Sequence, residues 1–350
     1  MLNSLGKCKI VYDRGAWGTH GYTSAGVRSP KKVYLELKIM NFKVKGGVYP
    51  TMITPYKNGQ IDYEACDKLV EWYWNAGCDG IFAACQSSEI LYLSLEERVL
   101  LTRRVIKKSR ELAQKDKSRE PLMIVASGHV SDDFTEQSRE LSAIAAEGPD
   151  ALILISNRMD IENTADEKWI ADTERLIATL PEDMPLGLYE CPKPYKRLLT
   201  EKMIKWCAGT GRFYFIKDTC CDKSVIAERL KLCEGSELKL FNANGQTLLD
   251  TLKLGAYGYC GVMANFHPEL YVRLMRSDLY SKEAALLQDF LGLTSHLEAL
   301  TYPCCAKYYV SEVVGIPIET YSRSNDEKNF TDYQKHCIMQ MAEMQKMIFG

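Results

Sequence analysis

Short unbroken apolar runs recur along this chain, and most are followed by a stretch with helical spacing. The runs are Val48–Ile53, Gly80–Ala84, Leu122–Ala126, Ala151–Ile155, Leu186–Tyr189, Phe213–Ile216, Leu238–Phe241 and Gly258–Val262. None alternates polar with apolar positions, so each is expected to be a strand covered on both faces, as in a parallel sheet flanked by helices. Between them, Asp62 is placed to cap a helix that turns Leu69, Val70, Trp72 and Tyr73 inward. Ser94-Leu95-Glu96-Glu97 reads as a capping box before Leu95, Val99 and Ile106, and Thr164–Glu167 as a second one before Trp169 and Leu176. Eight strand–helix cycles match a (β/α)8 TIM barrel, assigned to residues 46–276. The competing doubly wound sheet lacks support, because neither G-x-G-x-x-G nor a Walker A pattern is present. Beyond Ser277, helical patterns near 282–300, 304–313 and 331–348 predict an appended C-terminal layer over 277–350.

Residues 1–45 form a separate leader. Positions 1–39 hold seven Lys/Arg against Asp13 and Glu36, with no periodic pattern. A basic arm, a transit-like segment, a disordered leader and a true start at Met40 all fit, and the last is preferred because regular patterning begins just after it. A hydrophobic fraction of 46% and a net charge of −2 describe an ordinary soluble protein and give no reason to expect nucleic acid. No run reaches membrane-spanning length and no signal-peptide core is present, so a cytoplasmic location away from membranes is expected. Thirteen cysteines without a C-x-x-C spacing, and five scattered histidines, suggest reduced thiols and no metal site.

A barrel places its chemistry at the C-terminal ends of the strands. Collected there are Thr51 and Thr54, Gln86-Ser87-Ser88-Glu89, Tyr189-Glu190, Lys217-Asp218, and Asn242 with Asn244. A lysine closing an aromatic strand is either an ammonium emerging into water or an amine kept dry enough to attack a carbonyl. With a phenol on the preceding strand and hydroxyls nearby, the second reading gains weight. Lys217 can form an imine with a 2-oxo acid, Tyr189 can move protons, and Ser87 with turn amides can hold a carboxylate.

From about Gly46 to Pro317 the sequence resembles the dihydrodipicolinate synthase/N-acetylneuraminate lyase family of Schiff-base aldolases. The carriers are Cys85-Gln86-Ser87-Ser88-Glu89 in place of G-[ST]-T-G-E, Tyr189-Glu190-Cys191-Pro192 as Y-x-x-P, and Ile216-Lys217-Asp218 as I-K-[DEQ]. The resemblance implies Lys217 as the imine-forming lysine and Tyr189 as the proton-shuttling phenol. It further implies a substrate pocket drawn from Thr51, Gln86, Ser87, Ser88, Asn244 and Val262, with no cofactor. A homo-oligomer, dimer or tetramer, follows from the same resemblance. Departures are equally informative. Gln86 replaces a hydroxyl and Cys85 and Ser88 replace glycines. The loop after the fourth strand (Ile155–Met159) lacks the synthases' second tyrosine, and Pro194 stands where they carry an arginine, with Lys193, Lys196 and Arg197 nearby as imperfect substitutes. These features favour a lyase or aldolase acting on a 2-oxo-3-deoxy sugar acid. The alternatives are 4-hydroxy-tetrahydrodipicolinate synthase itself and a non-catalytic barrel that binds an oxo acid.

Overall fold

The computed structural model describes residues 42–350. Eight parallel strands follow one another round a barrel: β1 (Gly47–Val48), β4 (Gly80–Ala83), β5 (Met123–Ala126), β6 (Ala151–Ile155), β7 (Leu186–Tyr189), β8 (Phe213–Asp218), β9 (Lys239–Asn242) and β10 (Gly258–Tyr259). β1 pairs with β10, and the ring closes on β4 through a parallel bridge between Thr51 and Phe82. The amide of Phe82 donates to Pro50 O at 2.9 Å at that seam. The helices outside are α1 (Tyr63–Asn75), α2 (Leu95–Lys115), α3 (Phe134–Ala145), α4 (Asp166–Ile177), α5 (Glu201–Thr210), α6 (Lys223–Cys233), α7 (Leu248–Lys253) and α8 (Pro268–Arg276). The fold is therefore the expected α/β barrel, and its C-terminal layer is α9 (Lys282–Thr294), α10 (Cys304–Tyr309) and α11 (Asp332–Phe349).

Local chemistry explains most boundaries. Asp62 accepts from the amides of Glu64 and Ala65 at the start of α1, and Ser94 and Glu97 exchange reciprocal bonds at the start of α2. The second expected capping box does not form. Thr164 gives both its amide and its hydroxyl to the carboxylate of Asp160, so α4 starts one residue on, capped by Ala165 without a side-chain bond. A small hairpin, β2 (Tyr56–Lys57) with β3 (Gln60–Ile61), lies between β1 and α1. Its turn, Asn58-Gly59, has φ of 52° and 75°, the left-handed pair that this dipeptide favours.

The leader assigned to 1–45 lies outside the described residues except for its last four positions. Those pack beneath the barrel: the Phe42 ring meets Tyr214 edge-on at 4.8 Å, and Val44 is buried. Inside, Tyr49, Phe215 and Phe241 fill the lower barrel, with Phe215 stacked on Phe241 at 4.2 Å. Among the described residues no helix is long and apolar enough to cross a membrane.

Candidate active site

Successive residues of a strand face opposite ways, and the end of β8 turns that rule into two environments. Lys217 points into the barrel, 3% exposed, with Nζ 4.2 Å from the centre of the Tyr189 ring and 5.6 Å from that of Phe82. It makes no ion pair with a described residue; the two ring faces lie closest, and Glu298, Cys191 and Cys260 are within its electrostatic reach. Asp218 points the other way, toward the helices. There Arg229 bridges Asp218 and Glu190, the latter at 2.8 Å, in a cluster closed to water. Burial, reinforced by neighbouring Asp218, raises the Glu190 carboxyl above its ordinary range. Glu190 also accepts the amides of Leu199 and Thr219, which fixes the chain on either side of Lys217 and Tyr189. Glu190 is thus a support behind the site.

The turn after β4 supplies the polar wall. Gln86–Ser88 form one 3-10 turn. Tyr189 donates its hydroxyl to Gln86 Oε1 at 3.4 Å, and the Cys191 thiol approaches the same oxygen at 3.3 Å. Burial holds the Tyr189 phenol well above its ordinary range, so it stays protonated and acts as a donor. Ser87 donates to Thr51 Oγ1 at 2.9 Å. Ser88 donates to Met52 O at 2.7 Å and accepts from the Cys85 amide, which places it behind the cavity wall together with Thr51. Asn242 is likewise turned away, its amide bound to Thr247 and Thr251, whereas Asn244 and Val262 line the opening. Gln86, Ser87, Tyr189 and Lys217 converge on one cavity of about 460 Å3.

The sequence profile of the Dihydrodipicolinate synthetase family matches residues 44–117 and 164–328 of this chain. The chain belongs to that family. It is accordingly an enzyme, a carbon–carbon lyase of the class I aldolases. A 4-hydroxy-tetrahydrodipicolinate synthase from Clostridium perfringens is 28% identical over 219 residues, 62% of this chain and 70% of that one. Among solved structures, a prophage protein of the dihydrodipicolinic acid synthase family from E. coli K12, in complex with pyruvate, superposes with a TM-score of 0.73 at 19% identity, covering 87% of this chain and 98% of that one. A catalytic-lysine mutant of the Ruminococcus gnavus sialic acid aldolase gives 0.73 at 17% identity, covering 87% and 97%. At such identities the two structures share the fold.

Against this family background the departures have definite places. In the loop after β6, Ser156 bonds to Arg197 O and Asn157 to the carbonyls of Cys191 and Lys193, so that loop braces the Y-x-x-P segment and presents no phenol. Arg197 is buried and paired with Asp160 at 2.9 Å, which removes it as a substitute for the family arginine. Lys193 and Lys196 do line the cavity rim.

The C-terminal layer brings residues that the sequence reading overlooked. Tyr302 reaches the cavity and accepts from Asn265 Nδ2 at 3.1 Å. Glu298 hangs over the opening from the 3-10 turn Ser295–Ala299. Glu89 anchors the layer: Lys307 binds its Oε1 at 2.7 Å, while Ser322 Oγ and the amides of Arg323 and Ser324 converge on Oε2. No signal local to 298–324 marks these residues, because their roles arise from how the layer folds back over the barrel.

Proposed function

We propose that this family member cleaves, or in reverse forms, a carbon–carbon bond in a 2-oxo-3-deoxy sugar acid through an imine on Lys217, with pyruvate as one product. The observation that carries the reading is Lys217: an amine without an ion pair, sequestered on two aromatic faces at the base of a cavity large enough for such a substrate. Tyr189, held as a phenol, supplies the proton for loss of water as the imine forms. Ser87 and the amides of its turn receive the pyruvyl carboxylate. Asn244 and Gln86 offer neutral hydrogen-bonding groups suited to hydroxyls. The imine itself is the electron sink. A homo-oligomer accords with the family.

Synthase activity is the second reading, and Lys193 and Lys196 on the rim favour it, since either can meet a substrate carboxylate. A flexible ammonium is a weaker grip than the bidentate arginine that Pro194 replaces. Loss of one charged hydrogen bond is worth about 1.5–3 kcal/mol, roughly ten- to a hundredfold in rate. Two measurements test both readings. Borohydride with pyruvate is expected to label Lys217, and Lys217→Ala to abolish labelling. A coupled pyruvate assay over a panel of 2-oxo-3-deoxy sugar acids is expected to exceed condensation of pyruvate with aspartate semialdehyde by at least about tenfold. Efficient condensation with no pyruvate from any panel member would overturn the first reading in favour of the second.

A further inference from the structure

The cavity wall that carries Ser87 is shared with a residue from the C-terminal layer. Tyr302 follows the 3-10 turn Ser295–Ala299 and lines the cavity together with Ser87 and Lys217. Its place is fixed from behind. The Asn265 side chain is fully buried and accepts the Tyr73 hydroxyl at 2.6 Å. Its Nδ2 donates to Thr51 O at 2.8 Å and to the Tyr302 hydroxyl oxygen at 3.1 Å. Thr51 in turn accepts the Ser87 hydroxyl at 2.9 Å, and Ser87 is the second hydrogen-bond partner of the Tyr302 phenol. From the outer side Asn325 Nδ2 holds the Tyr302 carbonyl at 2.6 Å. Two hydroxyls, one from the turn after β4 and one from the C-terminal layer, therefore stand side by side on a common support of Thr51 and Asn265.

A phenol has one proton to give and lone pairs with which to receive. Tyr302 uses a lone pair on Asn265, so its proton is left for the side where Ser87 and anything bound beside it lie. Burial raises this phenol well above its ordinary range, which keeps the proton on and makes the group a donor. A donor of this kind is strongest toward a charged acceptor. We propose that Tyr302 is a substrate-binding residue, a second hydroxyl donor beside Ser87 for the carboxylate of the 2-oxo acid. The proposal rests on the imine reading above and deepens it. It makes the preference for a 2-oxo acid over an uncharged carbonyl compound a joint property of the barrel and its appended layer. Asn265 and Asn325 hold the phenol before any ligand arrives, so little freedom is lost when the carboxylate binds.

The test is borohydride trapping on Lys217, measured against the concentration of pyruvate and, separately, of methyl pyruvate, the ester that lacks the charge. Tyr302→Phe keeps the ring and removes the hydroxyl. It is expected to raise the half-saturating concentration of pyruvate by about ten- to a hundredfold, the scale of one hydrogen bond to a charged group. For methyl pyruvate the rise should be no more than about fivefold, the scale of a neutral hydrogen bond. Trapping of the ester also reports that the variant is folded. An equal loss with both compounds would mark Tyr302 as structural and overturn the proposal. Unchanged trapping of pyruvate by Tyr302→Phe would overturn it as well, while leaving the imine on Lys217 in place. Failure of the wild type to trap pyruvate on Lys217 would remove the imine reading, and this one with it.

Discussion

Glu89 and Glu298 stand on two walls of one cavity and show opposite uses of a carboxylate. Glu89 is held in the left-handed region, at φ 62°, a conformation disfavoured by about 1–2 kcal/mol for a residue with a Cβ. It persists there because a buried ammonium, a hydroxyl and two amides over-determine its place. Glu298 has no hydrogen-bond or ion-pair partner among the described residues, and partial burial raises its carboxyl toward neutrality, with nearby Lys217 opposing the rise. A neutralised carboxylate organises structure; one left without partners keeps its titration exposed to its surroundings.

The largest expected effect breaks the anchored wall. Lys307→Ala leaves the Glu89 charge buried without its cation and is expected to destabilise the fold by about 3–5 kcal/mol, measured by denaturant unfolding. A smaller change is expected from Ser322→Ala, which removes one bond to the same carboxylate and should reduce stability by about 1.5–3 kcal/mol. The smallest effect sharpens the other side of the comparison. The folded carboxyl of Glu298 lies at about 7, above its ordinary 4.5, so the native state binds this proton more tightly than the unfolded chain. That contribution is complete below pH 4.5 and disappears as pH rises toward 7. Because water reaches the group, the effect is modest. Glu298→Gln should therefore melt above the wild type at pH 8, with the gap closing by pH 4. A gap that is the same at both values would contradict the titration.

Sequence legibility followed the range of the interactions concerned. Barrel strands showed themselves because each is apolar on both faces, and Asp62 and Ser94 because a cap bonds within three residues. Lys217 and Tyr189 were visible as residues that end consecutive strands. Thr164 misled because Asp160, four residues earlier, competes for the same groups, and that competition depends on Arg197 from another segment. The β2–β3 hairpin carried a readable signal in Asn58-Gly59. Ser88 and Thr51 were known to be at the right height in the barrel, but which way each hydroxyl turns depends on neighbours such as Met52 O and Ser87. Glu298, Tyr302 and Lys307 had no local mark, since their positions are fixed only when the C-terminal layer docks on the turn after β4.

The aromatic packing under Lys217 has a consequence for molecular traffic. Tyr49, Phe215 and Phe241 close the lower barrel among the described residues, so the cavity opens at its upper rim. A molecule tethered at the base sits behind whatever occupies the rim. On the proposed imine at Lys217, the fragment nearer the exit would depart before solvent reached the tether and freed the inner one. A sealed floor thereby imposes a queue, and the sequence of departure is written into the architecture before any rate constant is considered.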